Sequence, residues 1–543
     1  MQVIYYLDGK KFVTSHSNND VTIEEKIVDN RKTITLTALK KITLGKAKEV
    51  ENSHVNFSDR YFLNGYQSWT DSHEYKLAKR LRNIKKSPHI ITALYALRSY
   101  GDSLFYNYSI KKSHGYDFFY QRGKFESFVI NLNYENAYLI IELIKDSKKL
   151  YLTSDVENID LKANQSLVIF DYLLFDSYEK GLKSFKDTFP KKSIEKVFGY
   201  TSWYNYFQNI NEEIINRDLD ALDERFNLFQ IDDGYETYVG DWLDVDSKKF
   251  PNGLAPIVKK IHDKGYKAGI WLAPFVAETK SKLFNEHKDW FKCKNGKPFK
   301  AGGNWSGQYA LDLDKKEVRE YIEKCLRHYM DMGFDFFKLD FLYAVGLFPS
   351  KGKSRCQTQR EAYKFLREIL QDKLILGCGA NIANSIDVFD YMRVGPDVSL
   401  EFDDVYYMRL FHRERVSTKV TIQNTIYRSL FNQRLFANDP DVFLLRDDNI
   451  KMSKEQRKAL IKINALFGSV LMTSDDIALY DYEKKQLLSN ALTIYKHGRV
   501  THFETQDNSI LVTYEISSDV YKLSYNTKKG ILEYDRQISS SVW

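Results

Sequence analysis

Cysteine is scarce in this 543-residue chain, with four in all. Cys293, Cys325, Cys356 and Cys378 form no CxxC pair and no zinc-like spacing, which argues against a disulfide framework or a cysteine metal centre. That usage fits a reducing compartment. Long hydrophobic runs are missing too: nothing approaches the roughly 20 consecutive apolar residues of a membrane span. The opening MQVIYYLDGKKFV lacks a basic segment followed by an apolar core, so no secretory signal is expected and the cytoplasm is the expected location. Charge of one sign is not in excess. The 80 Lys and Arg against 73 Asp and Glu leave +7, which is small for this length, and no basic block points to a nucleic-acid or membrane partner. Internal repeats and low-complexity linkers are absent as well.

What is abundant is aromatic. Phe, Tyr and Trp make up 15% of the chain; a Tyr-rich composition accounts for most of this, and platforms for sugar rings would need particular positions. From residue 1 to 190, short alternating runs such as KTITLTAL (32–39), SFVINLNY (127–134) and AYLIIELI (137–144) predict an N-terminal antiparallel β-sandwich. FLNGYQSWTD (62–71) reads as a loop, in which Trp69 beside a Gly turn is by itself more often a packing residue than a ligand contact.

From 191 to 480 the texture changes to apolar strand-like runs alternating with helical periods, the βαβα pattern of a parallel sheet. Strands are predicted at 197–203, 226–234, 266–275, 334–341, 374–379, 391–398, 434–441 and 468–476. Helices between them include 212–226, 254–265, 315–333 and 454–468. Eight strands in this span match a (β/α)8 barrel, a TIM barrel. Residues 481–543 return to short β-like runs and read as a small C-terminal β domain.

FFKLDFLYA (336–344) is the most informative stretch. Lys338 and Asp340 interrupt an apolar strand on alternate positions and so project to one face. Burying either charge alone is costly, so they form a buried ion pair that merely holds a strand end, or they do chemistry. Other polar residues also fall at strand ends: Asp232 and Asp233, Trp271, Cys378, Arg393 and Asp397, Asp439 and Asp441, Asp475 and Asp476. In a barrel those ends form one rim, the place where active sites of this architecture lie.

Two carboxylates in different electrostatic surroundings can serve a glycosidase as nucleophile and acid/base. Lys338 would favour an ionised Asp340, as a nucleophile needs. Asp397, after Gly395-Pro396, would have less charge compensation and a higher pKa, as a proton donor needs. Asp232 and Asp233 could accept bonds from vicinal hydroxyls, and Trp271 or Trp203 could stack on a sugar face. Blander roles stand beside these: Arg393 pairing with an aspartate, and Asp475-Asp476 capping a helix, the favoured reading of that pair.

At this point the chain resembles the short bacterial α-galactosidases of glycoside hydrolase family 36. NGYQSW (64–69), YTSWYNYF (200–207), QIDDGYE (230–236), AGIWLAPF (268–275), FFKLDFLYA, LGCGA (376–380), MRVGPDV (392–398) and NDPD (438–441) occur in the family's order across nearly the whole chain. The resemblance implies a β-supersandwich, a (β/α)8 barrel and a C-terminal β domain. It implies retaining, exo-acting hydrolysis of terminal α-linked galactose from melibiose- or raffinose-type oligosaccharides or glycoconjugates, without metal or organic cofactor. By position, Asp340 would be the nucleophile and Asp397 the acid/base. Asp232 and Asp233 would hold the 4- and 6-hydroxyls, and Lys338, Cys378 and Arg393 would reach neighbouring hydroxyls. Trp203 and Trp271 would wall the site, and Trp69 would enter from the N-terminal domain, either of its own chain or of a second copy in a homo-oligomer. One departure concerns the Cys-x-Ser-Gly-Gly segment of longer members, replaced here by GCGANIANSIDVFD (377–390). It leaves an α-N-acetylgalactosaminidase open. A metal-dependent barrel enzyme and a non-catalytic sugar-binding protein are the readings from other classes.

Overall fold

The computed structural model describes residues 1–51, 55–56, 58–76, 99–102, 112–144, 149–404 and 413–540. Its N-terminal part is two seven-stranded antiparallel sheets. One runs through Gln2–Leu7, Ile42–Glu51, Lys149–Ser154 and Leu139–Ile144; the other runs through Arg31–Ala38, Ser166–Phe175, Ser127–Asn131, Phe118–Arg122 and Arg60–Leu63. Alternation along the second sheet explains why its sequence is apolar on both parities. Tyr61, Leu63, Phe119 and Val129 fill the sandwich, whereas Phe62, Phe118, Tyr120, Phe128 and Ile130 belong to the same core as the barrel. Successive side chains of a strand face opposite ways, so this sheet is buried twice. Phe118 meets Phe431 with ring centroids 5.0 Å apart.

Eight parallel strands follow: β1 Val197–Thr201, β2 Leu228–Ile231, β3 Lys267–Leu272, β4 Phe336–Leu339, β5 Leu374–Gly377, β6 Tyr391–Arg393, β7 Ala437–Asp439 and β8 Val470–Thr473. They pair in chain order and β1 pairs with β8. The seventh is broken at Pro440, which has no N–H for a ladder. Its first half pairs with β6, while Val442–Phe443 beyond the break pairs with β8, closing the ring through one continuous segment. Every strand falls within its expected stretch. The expected helices are present as α1 Glu212–Ala221, α2 Ala255–Asp263, α3 Lys316–Met332 and, after β7, α6 Lys454–Phe467. Two more are α4 Arg355–Leu370 and α5 Thr418–Tyr427. Helix α7, Tyr482–His497, leads into a four-stranded antiparallel sheet over 498–540. Among the described residues no helix is long and apolar enough to cross a membrane.

Candidate active site

The C-terminal strand ends surround a cavity of about 890 Å³ lined by Trp203, Asp232, Asp233, Trp271, Lys338, Asp340 and Asp397 among others. Asp340 directly follows β4. Its backbone N–H donates to Leu272 O at 2.8 Å; its Oδ1 accepts from Phe341 N at 2.7 Å and its Oδ2 from Trp271 Nε1 at 3.1 Å. Trp271 therefore orients this carboxylate as well as walling the cavity. Phe341 stands in the left-handed region at φ 55°, an uncommon conformation for a bulky residue that surrounding structure must enforce and that recurs at functional sites. Burial pushes the Asp340 carboxyl up; Lys338 pulls it down and Asp397 pushes it up again.

Lys338 makes its short contact elsewhere. Its Nζ lies 2.8 Å from Asp232 Oδ2, which also accepts from Gln230 Nε2 at 2.7 Å and Thr201 Oγ1 at 3.1 Å. Burial alone would depress the ammonium, and the Asp232 carboxylate more than offsets this, so Lys338 stays charged. Lys338 also draws the Asp340 carboxyl down, as expected, but its short contact is across the barrel, because inward residues of alternate strands, here those ending β2 and on β4, share a layer.

Asp233 accepts from Trp305 Nε1 at 2.8 Å and Gln208 Nε2 at 3.0 Å. Burial pushes its carboxyl up and pushes that of buried Glu236 further, with the charge of Asp233 adding to the latter.

Asp397 sits on the loop after β6, its side chain 36% exposed. The expectation of less charge compensation at Asp397 is not met: Arg393 Nη1 donates to its Oδ1 at 2.9 Å. That guanidinium also reaches Asp439 at 3.0 Å and Asp441 at 2.8 Å. Three carboxylates share one cation, and burial followed by the charges of Asp397 and Asp439 leaves Asp441 raised to about 7 despite Arg393. All three described contacts of Arg393 are to carboxylates, so it acts as the clamp of the acidic loop, and it does not line the cavity.

Two further expected ligands are buried and are not among the residues lining the cavity. Cys378 is fully buried and its Sγ accepts from Trp69 Nε1 at 3.4 Å; burial pushes the thiol well above its usual range and keeps it neutral. Trp69 is 8% exposed and packs edge-on against Phe341 at 5.4 Å and Tyr343 at 5.7 Å. Its ring is thus engaged within its own chain, against Phe341, which lines the cavity. Asp475 is likewise structural: its carboxylate takes Arg446 at 2.7 Å and the Tyr480 hydroxyl at 2.7 Å, while Asp476 caps a short 3-10 turn by accepting from Ala478 N. Sequence reasoning missed Gln208, Asn304, Trp305 and Phe341. Trp305 arrives on an excursion between β3 and α3 and itself has φ 52°, so no strand period pointed to it.

The profile of the Melibiase family matches residues 198–372. Alpha-galactosidase 1 of Pediococcus pentosaceus is 31% identical over 175 residues, covering 30% of this chain and 23% of that protein. The match therefore spans under a quarter of the curated relative. Over nearly the full chain, the fold is similar to TtGalA, the α-galactosidase from Thermus thermophilus. Its complex with p-nitrophenyl α-D-galactopyranoside gives a TM-score of 0.70 at 24% identity, covering 94% of this chain and 98% of that one. Its complex with stachyose gives 0.69 at 24% identity, covering 91% and 99%.

Proposed function

We propose that this chain, whose residues 198–372 match the Melibiase family, is a retaining α-galactosidase that releases terminal α-linked galactose from oligosaccharides. The observation that supports this best is the meeting of Asp340 and Asp397 in one cavity with the Asp232–Lys338 pair, Asp233 and a wall of tryptophans. Asp340, aimed by Trp271 and the Phe341 N–H, attacks the anomeric carbon as a carboxylate. Asp397 protonates the leaving oxygen, and the galactosyl ester forms as the glycosidic bond breaks. Asp397, now a carboxylate, takes a proton from water, which attacks the same carbon and releases Asp340 with net retention. Asp232, Asp233 and Lys338 bind sugar hydroxyls. The outer wall of Phe207, Leu400, Val416 and Ile450, beside the Glu401–Lys451 pair at 2.6 Å, receives the leaving group. Four free cysteines fit a reducing, cytoplasmic setting.

The test is a panel of p-nitrophenyl α- and β-glycosides of galactose, N-acetylgalactosamine and glucose, with NMR of the first-formed anomer. Preference for α-galactoside and α-galactose as first product are expected. Asp340→Ala should lose turnover and, with azide, yield the β-galactosyl azide. An azide product of retained configuration from that variant would remove Asp340 as nucleophile.

A further inference from the structure

Helix α5 is unusual in composition for a buried helix. Nine of its ten residues are buried, and Thr418, Thr421, Gln423, Asn424 and Thr425 are among them. Buried polar groups persist when they are hydrogen-bonded, and the partners here fall on two sides. One side is the loop carrying Asp397. Ser417 N donates to Asp397 O at 3.1 Å, Thr421 Oγ1 donates to Pro396 O, and Nη1 of Arg428, the residue capping α5, donates to Val394 O at 2.7 Å. Gly395 lies so close to the helix that a Cβ there would stand 2.9 Å from Thr421 Cα.

The other side is the N-terminal loop 64–72. Asn424 Nδ2 donates to Thr70 O at 3.0 Å and its Oδ1 accepts from Ser72 N at 2.8 Å. Arg428 donates to Asn64 Oδ1 at 3.0 Å, to Gln67 O at 3.2 Å, to Ser72 Oγ at 2.9 Å and to Ser68 O. None of these acceptors is a carboxylate. A fully buried guanidinium spread over neutral acceptors contributes little net attraction after desolvation; what its rigid fork supplies is geometry. The same N-terminal loop is pinned to the end of β5, where Ser68 N donates to Ala380 O at 2.9 Å and Gly379 N to Ser68 Oγ at 3.0 Å.

We propose that Asn424 and Arg428 are positioning residues that tie the N-terminal loop 64–72 to the Asp397 loop, so that the β-sandwich sets the placement of the proton donor. The proposal rests on Asp397 acting as the acid, as argued above. Its effect is specific to proton donation: a leaving group acidic enough to depart unprotonated does not need Asp397, and a displaced donor costs most where protonation matters.

The experiment measures kcat/KM for methyl α-galactoside, which needs protonation, and for 2,4-dinitrophenyl α-galactoside, which does not. Wild type, Asp397→Ala, Asn424→Ala and Arg428→Lys are compared, with thermal melting as a check on folding. General acid assistance is worth roughly 100- to 10,000-fold, so Asp397→Ala should lose about that much on the methyl substrate and far less on the activated one. Asn424→Ala, which cuts only the N-terminal side, should lose about 10-fold or more on the methyl substrate and under about 3-fold on the activated one. Arg428→Lys should show the same bias; should it fail to fold, Asn424→Ala decides. An equal loss on both substrates by folded Asn424→Ala, or no loss on either, overturns the proposal. If Asp397→Ala itself shows no leaving-group bias, the assignment of the acid has failed instead.

Discussion

The contact between Lys338 and Asp232 gives a prediction whose size follows from the geometry. At 2.8 Å, two unit charges in a medium of effective dielectric about 20 attract by about 6 kcal/mol. Desolvation of each ion costs several kcal/mol, so the pair as a whole is near neutral in net stability. Removing one partner is another matter. Lys338→Met leaves the Asp232 carboxylate buried with its Gln230 and Thr201 donors but without a cation, which should cost about 3–5 kcal/mol. The double variant Lys338→Met with Asp232→Asn removes both charges and keeps an amide oxygen for those donors. Its stability should recover by at least half of the loss. The assay is thermal and urea unfolding of wild type, both single variants and the double variant, treated as a double-mutant cycle. All variants with a substitution here should lose galactoside binding, so stability and activity part company in the double variant. Unfolding of Lys338→Met at the wild-type midpoint, or additive losses in the double variant, would falsify the account of this pair.

Three other outcomes follow. Trp69→Ala should open a void behind Phe341 and cost about 3–5 kcal/mol, with a fall in kcat and little change in KM; a large rise in KM with unchanged melting temperature would mean that the ring touches substrate. Asp441, raised to about 7 in the folded chain against a usual value of 3.8, binds its proton more tightly folded than unfolded. Its contribution to stability is complete below about pH 4 and is lost as pH climbs through 7, so Asp441→Asn should flatten this part of the melting profile. Trp305→Phe deletes the indole donor to Asp233 at 2.8 Å and should raise KM for galactosides about 10-fold, checked by steady-state kinetics; an unchanged KM would detach Asp233 from substrate binding.

The barrel was legible because buried parallel strands read as apolar runs and the charges that end them stand out. Lys338 and Asp340 on one face were readable from alternation. Their actual neighbours were not, since Asp232 lies 106 positions from Lys338 and it is the curl of the sheet across β3 that brings them together. Trp69 was visible as a loop aromatic, but a sequence carries no information on how deep a loop inserts, and this one buries the ring to 8% exposure against Phe341. Arg393 met the blander of its readings: it pairs with aspartates, and Asp397 is one of them. Trp305 and Gln208 come from segments without a period, where nothing distinguishes an inward side chain from an outward one. The break at Pro440 was written in NDPD, yet its use in closing the ring depends on pairing to β8.

The twice-buried sheet makes residue 190 a poor place to cut. A fragment ending there would keep the helix Tyr178–Thr188 over Phe118, Tyr120 and Phe128 but lose the barrel side of that layer, where Phe118 meets Phe431, and a barrel fragment would bare the surface around Phe431. Each half would carry an aromatic patch of the kind that drives aggregation. Shuffling sandwiches among related barrels would therefore have to exchange this layer as a matched set.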